Sequence, residues 1–444
     1  MSELSKVTLG DLVEFQRGFD LPKSQFKVGT VPVISSNGVL GYHNESKVCG
    51  PGITVGRSGT VGLPHYINED FFPHNTALFI KDFKNNYPKY IFYLLKTLGL
   101  NEYKSGSGVP TMNRNHLHPL GVSAFLDLPT QTQIAKVLSD LDAKIELNNK
   151  INAELEAMAK LIYDYWFVQF EFPISKEQAK SMGKPELEGK PYKSSGGKMV
   201  WNEELKREVP VGWEVGSLLD IATFTNGIAC QKYRPEDGED FYRVIKIREM
   251  GDGFTDKTEK VTQSIPEKVI VRNGDILFSW SATLDVKIWT GGTGGLNQHI
   301  FKVTSKKYPR TFFYFEVLRY LQYFKMVAEL RKTTMGHITR DHLDQSRISI
   351  PPKDLIIDLH RKIDPIIQKL IKVKEENQKL AELRDWLLPM LMNGQVTSTG
   401  SATARSSETE KGSNAVSEST KYKDEEFNGS IAAEAEHNYN NSKK

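Results

Sequence analysis

With 444 residues, 25% charged and 39% apolar, the chain has an ordinary globular composition and the length of two or three domains with cores of their own. The formal net charge is +3, but Ser398 to Lys444 carries six Lys and Arg against eight Asp and Glu, a net of −2 that leaves +5 for the body; that charge permits basic patches for nucleic acid. No run of about twenty apolar residues and no signal-peptide core occurs, which points to a soluble cytoplasmic protein, and Cys49 and Cys230 lack the partners that a disulfide framework or a thiolate metal site needs.

The first segment in chain order, LGDLVEFQRG (Leu9 to Gly18), returns as LLDIATFTNG (Leu218 to Gly227), an offset of 209 that matches Asp11 with Asp220, Phe15 with Phe224 and Gly18 with Gly227. Short β-branched or aromatic runs bounded by Gly, Pro or Asn follow at Val31 to Ser35, Gly52 to Gly56 and Thr76 to Ile80, and these read as strands of a small sheet or barrel. Ile53 to Gly62 aligns with Ile276 to Asp285 at offset 223. Tyr87 to Gly99 has helical spacing with an aromatic face, and MNRNHLHPL (Met112 to Leu120) carries Arg114, His116 and Leu117, which recur at offset 226 as Arg340, His342 and Leu343.

After Pro129 a long helix is expected, with Thr130 and Gln133 as its capping box and Ile134, Leu138, Leu141 and Ile145 at alternating spacings of four and three. The stripe slips at Asn148 to Lys150 and resumes as Ile151, Leu155, Met158, Ile162 and Tyr165. Residues 173–212 are rich in Lys, Gly, Ser and Pro and read as a linker with little structure of its own. The second copy then supplies strands at Phe241 to Ile247, Asp275 to Trp280 and His299 to Val303, and a helical stretch from Tyr308 to Leu330.

A second long helix follows Pro351 with the seam Ile356, Leu359, Ile363, Ile366, Leu370, Val373, Asn377 and Leu380. Asn377 is a register-setting polar position, and Asn148 a second one on the first helix. Pro365 is expected to kink this helix, and Asn393 with Gly394 to close it. A helix of about 36 residues is roughly 54 Å long, too long to hide its seam in a small β domain, so the two helices should pack antiparallel and hold the globular portions at a fixed separation. The Ser/Thr-rich tail cannot bury enough apolar area to offset its ordering and is expected to be disordered.

The expected fold is therefore α+β with a pseudo-two-fold internal repeat. Two β-rich domains, 1–129 and 213–352, are joined by helices at 130–172 and 353–396, with the linker at 173–212 and the tail at 397–444.

Catalytic motifs are missing. GRSGTVG (Gly56 to Gly62) lacks the lysine of a phosphate loop, no adenine-methyltransferase sequence occurs, and His116 and His118 have no acidic or cysteine cluster beside them, so they read as loop and core histidines. SGSGVPT (Ser105 to Thr111) and RSGT (Arg57 to Thr60) are turns whose backbone could also approach a phosphate. Side chains suited to base edges and phosphates recur in both copies. In the first they are Gln16, Arg17, Asn37, Arg57, Ser58, Thr60, His74, Asn75, Asn113 and Arg114; in the second, Lys246, Arg248, Ser281, Thr283, Asn297, Gln298, His337, Thr339 and Arg340. The pattern carries the reading, since any polar loop contains such residues singly.

From residue 1 to about 396 the chain resembles the specificity subunit of a type I restriction-modification system. The likeness rests on the two half-repeats, on LDLPTQTQIAKVLSDLDAKIELNNKINAELE after the Arg114 to Leu117 loop, and on its echo ISIPPKDLIIDLHRKIDPIIQKLIKVKEENQKL. It implies two target recognition domains, each binding half of a split double-stranded DNA target, and helices that set the unread gap. It further implies two methyltransferase subunits that modify adenine and motor-nuclease subunits; S-adenosylmethionine, ATP and Mg would belong to those partners, with no cofactor and no catalytic residue on this chain. Apolar candidates for docking methyltransferase subunits are Tyr163, Trp166, Trp386 and Leu387. The competing expectation is a non-catalytic protein-interaction scaffold whose duplicated β modules are spaced by a coiled coil.

Overall fold

The computed structural model describes residues 3–103, 111–330 and 337–396. Most of the SGSGVPT turn and the whole tail, and with them the expected tail disorder, lie outside the described residues.

The first module opens with strand β1 (Leu4–Thr8), helix α1 (Leu9–Leu12) and β2 (Glu14–Arg17), followed by β3 (Val31–Ser35), β4 (Gly38–His43), β5 (Gly52–Gly56), β6 (Pro64–Ile67), β7 (Phe72–Pro73) and β8 (Ala77–Asp82). Helix α2 (Pro88–Thr97) and the short α3 (Arg114–Leu117) precede β9 (Gly121–Phe125), which pairs antiparallel with β1. One sheet has the order β2-β8-β5-β6 and the other β4-β3-β7, with β3 and β7 parallel. Phe15, Ile53, Val55, Leu78 and Tyr90 fill the core between the larger sheet and α2.

The long helix α4 (Leu128–Tyr163) leaves this module, passes through one π turn at Asp164–Val168, and reaches α5 (Lys176–Ser181) and a hairpin of β10 (Met199–Asn202) and β11 (Arg207–Pro210). The second module repeats the first: β12 (Glu214–Ser217), α6 (Leu218–Ile221), β13 (Thr223–Asn226), β14 (Phe241–Ile245), α7 (Ile247–Asp252), β15 (Lys260–Thr262), β16 (Ile270–Val271), β17 (Ile276–Ser279), β18 (Asp285–Ile288), β19 (Gly294–Leu296) and β20 (Ile300–Thr304). Helix α8 (Arg310–Leu330), α9 (Arg340–Asp344) and β21 (Arg347–Ile350) complete it, and α10 (Lys353–Met392) follows. Its sheets run β13-β20-β17-β18 and β15-β14-β19-β16, the first module's order with one edge strand added, and β14 and β19 are again parallel.

The matched residues do matched work. Asp11 and Asp220 each accept the N–H of the residue that caps their helix, Thr8 at 2.8 Å and Ser217 at 2.6 Å. Gly18 and Gly227 each lie where chains cross: a Cβ built on either would stand 2.2 Å from a carbonyl oxygen, that of His74 or of Asn297.

Helices α4 and α10 pack antiparallel. Lys374 Nζ donates to Glu156 at 2.7 Å, Asn377 Nδ2 to Asn149 Oδ1 at 2.8 Å, and Arg384 Nη1 to Asp142 at 2.8 Å, so one helix descends as the other rises. Asn148 is buried and donates to Glu376 at 3.0 Å, which places both predicted asparagines on the seam. Tyr163, Trp166 and Phe167 at the end of α4 pack into the second module with Phe312 and Phe315, whereas Leu391 and Met392 at the end of α10 join the core of the first. Each helix thus starts on one module and ends on the other, closing the chain into a ring.

Several expectations are corrected. The cap of α4 is Asp127, whose side chain accepts the Thr130 N–H at 2.9 Å; Pro129 lies inside the first turn, where its missing donor costs nothing. Beyond Asn148 the buried face of α4 is Asn152, Ala159 and Tyr163, and Met158 is 50% exposed. Asn152 and Ala159 thus occupy buried positions where the sequence pattern favoured large apolar residues. On α10, Ile367 is buried in the place expected for Ile366, and the helix runs unbroken through Pro365, whose side of the helix faces solvent. Residues 173–212 are ordered around Phe172, Ile174, Ala179, Tyr192 and Val209, which pack with Trp213 under the second module. Tyr163 and Trp166 are buried there too and are not available to a partner; Trp386 is 56% exposed and Leu387 half-buried.

Candidate nucleic-acid interface

The end of β2, the turn after β5 and the start of α3 meet at one edge of the first module. They form an open cleft of about 610 Å³ lined by Gln16, Arg17, Gly18, Phe19, Asp20, Arg57, Leu78, Asn113, Arg114 and Asn115. Five residues selected from sequence, drawn from three stretches far apart in the chain, share this cleft. Backbone geometry fixes Arg57: its N–H donates to Thr76 O at 2.8 Å and its carbonyl accepts from the Met112 N–H at 2.9 Å. Its Nη1 donates to the Asn75 carbonyl at 3.4 Å, and the Asn75 amide donates to Asp20, which also accepts from Arg17 at 3.4 Å. Such exposed pairs contribute little to stability, so Arg17 can exchange Asp20 for another acceptor at small cost. Asn113 caps α3 by accepting the Asn115 N–H at 3.0 Å, and Arg114 makes no side-chain hydrogen bond among the described residues.

Behind the cleft, His118 Nε2 accepts the Phe15 N–H at 3.0 Å and its ring stacks on Phe15. Burial, and then the Arg114 and Lys84 charges, hold its pKa below the usual imidazole value, which keeps that nitrogen an acceptor. His74 contacts Thr76 Oγ1 at 3.0 Å, with its pKa lowered chiefly by burial, so it supports the loop. Asn37 is exposed in the turn between β3 and β4, and Thr60 is exposed in the β5 to β6 turn beside the half-buried Ser58.

The second module places its candidates differently. Lys246 is paired with Glu259, and Arg248 with the buried Glu249 at 2.6 Å, which raises the arginine's pKa; both anchor α7. Ser281 and Asn297 are buried, and Asn297 Oδ1 accepts the His299 N–H at 3.4 Å. Gln298 lies 3.4 Å from His299 Nε2. Thr283, His337, Thr339 and Arg340 are exposed, with Thr339 capping α9.

Sequence reasoning missed Phe19, Asp20 and Asn115 in the first cleft and Asn226, Trp280 and His299 in the second module. The repeat offsets held the signal, since 223 sets Trp280 on Arg57 and 209 sets Asn226 on Arg17. A larger hollow of about 1240 Å³ lies between the helix pair and the second module. It is lined by Glu156, Glu249, Asp252, Glu382 and Asp385 as much as by Arg243, Lys287 and Lys374, which suits a polyanion poorly. Among the described residues no three His, Cys, Asp or Glu side chains gather as a metal site, and no helix is long and apolar enough to cross a membrane.

The profile of the type I restriction modification DNA specificity domain matches residues 1–157 and again 210–384. The chain belongs to this family. The two matched stretches are the two modules with their helices, so the resemblance read from the half-repeats holds. The chain is 24% identical over 332 residues to the type I restriction enzyme MjaIX specificity subunit of Methanocaldococcus jannaschii, covering 71% of this chain and 72% of that protein. It is 26% identical over 362 residues to the HindI specificity subunit of Haemophilus influenzae, covering 70% and 77%. In fold it is similar to the S subunit of a type I restriction-modification system from M. genitalium, with a TM-score of 0.57 at 14% identity over 88% of this chain and 96% of that one. It is accordingly a DNA specificity chain and not an enzyme.

Proposed function

We propose that the chain reads a split site on double-stranded DNA, one half-sequence per module, while the α4 and α10 pair sets the length of the unread gap. In this reading the boundaries of the recognition domains fall at 1–129 and 213–352, and the exposed Trp386 belongs to a face where methyltransferase subunits dock. The chain works in the cytoplasm with two methyltransferase subunits and with motor-nuclease subunits, and S-adenosylmethionine, ATP and Mg act on those partners. The observation that carries the reading is the cleft of Gln16, Arg17, Arg57, Asn113 and Arg114, which offers three guanidinium forks and two amides at one edge of a module present twice in one ring. Mapping methylated adenines in a host that carries this chain with its methyltransferase partner tests it. Split sites that vanish when the chain is removed are expected, and Arg57→Ala should alter one half-sequence only; an unsplit site, or both halves altered, would refute the reading.

A further inference from the structure

The loop that carries Arg57 in the first module carries Trp280 in the second, and the same pair of backbone hydrogen bonds fixes both. Trp280 N–H donates to the His299 carbonyl at 3.3 Å, as Arg57 does to Thr76, and the Trp280 carbonyl accepts from the Ile338 N–H at 3.0 Å, as that of Arg57 does from Met112. The two side chains therefore leave the backbone at the same point of the fold. Their surroundings are opposite in chemistry. Asn226 stands where the first module has Arg17, and of the three arginine positions only Arg340 keeps its charge.

Trp280 Nε1 donates to Asn226 Oδ1 at 3.1 Å, so the one polar atom of the indole is consumed inside the module. What remains is an apolar, half-buried ring that rests on the core through Phe301 at 5.8 Å, with His337 edge-on at 5.3 Å and His299 tilted at 5.6 Å, so its uncovered part is what a base can meet. On the base edges of the major groove the one apolar group is the C5-methyl of thymine, whereas arginine is matched to O6 and N7 of guanine.

We propose that Trp280 is a specificity-determining residue of the second module and selects thymine through its methyl group, at the position where the first module uses Arg57 to select guanine. This rests on the reading that each module binds one half-sequence.

The test begins from the methylation map and uses the assembled complex on synthetic duplexes of the mapped site. Replacing the critical thymine of the second half with deoxyuridine, which lacks only the methyl, should weaken binding about tenfold, the effect of one poorly matched pair. Replacing guanine with 7-deazaguanine should act in the same way in the first half. Trp280→Ala should relax that thymine position and leave the first half-sequence intact, an internal sign that the variant is folded; Trp280→Phe should retain the thymine. The inference is overturned by a second half-sequence without thymine, by indifference to deoxyuridine, or by a Trp280→Ala variant that maps to both original halves. If Trp280→Ala yields no methylation, Trp280→Phe and the deoxyuridine duplex decide. Failure of the underlying reading looks different: no split site, or one variant that alters both halves.

Discussion

Replacing Arg319 with Met tests how α4 is anchored to the second module. Tyr163, fully buried at the end of α4, donates its hydroxyl to Glu316 Oε1 at 2.5 Å, and Arg319 Nη1 lies 2.8 Å and 2.9 Å from the two carboxylate oxygens of the same glutamate, whose side chain is 1% exposed. Burial, and then the Glu316 charge, push the Tyr163 phenol well above its ordinary value, so it remains a donor and cannot neutralise the carboxylate. Without Arg319 a carboxylate is left buried without its cation, at a cost of about 3–5 kcal/mol. At about 2–4 °C per kcal/mol for a unit of this size, the unfolding midpoint should fall by roughly 6–20 °C. The comparison is the double variant Glu316→Gln, Arg319→Met, which removes both charges and should recover at least half of the loss in a calorimetric or urea titration. A single variant within about 1 kcal/mol of the parent, or a double variant no better than the single, would refute the reasoning.

Two further outcomes follow from the first module and its repeat. His118 has a folded pKa below its unfolded value of about 6.5, so its contribution is fully present above that pH and declines as pH falls below it toward the folded value. Urea midpoints between pH 7.5 and 5 should therefore drop for the parent and drop less for His118→Gln; parallel curves would contradict this. Gly18→Ala places a Cβ 2.2 Å from the His74 carbonyl, and Gly227→Ala one 2.2 Å from that of Asn297, so each should cost about 3 kcal/mol in the same titration, and a loss under about 1 kcal/mol for both would show that the crossings can relax.

The duplication was legible in the sequence because capping boxes, crossing glycines and strand-ending turns are set by local backbone chemistry. Asp11 and Asp220 recur because each closes a capping box, and Gly18 and Gly227 because each lies where a Cβ would strike a crossing chain. The antiparallel pairing followed from helix length, and Asn148 and Asn377 from the seam. What failed depends on tertiary partners. Met158 fits an apolar stripe, yet it is half exposed and the buried face there is made by Asn152 and Ala159. A linker rich in Lys and Gly gave no sign that Phe172 and Tyr192 would stack against each other, Phe172 in turn lying face-on to Trp213. Tyr163 and Trp166 looked like a docking surface because sequence does not reveal that α4 ends inside the other module. In the site, Arg57 and Asn113 were found by residue type, whereas Trp280 was passed over because aromatic residues are usually assigned to the core.

The ruler is tested most directly by inserting one heptad into each long helix at facing positions, after Asn149 and after Asn377, which hydrogen-bond across the pair. Seven residues add about 10.5 Å at 1.5 Å per residue, close to three base pairs at about 3.4 Å each, and leave both docked helix ends untouched. The methylation map should then show the two original half-sequences separated by about three more base pairs. An unchanged gap with unchanged halves, or halves that themselves change, would contradict the account.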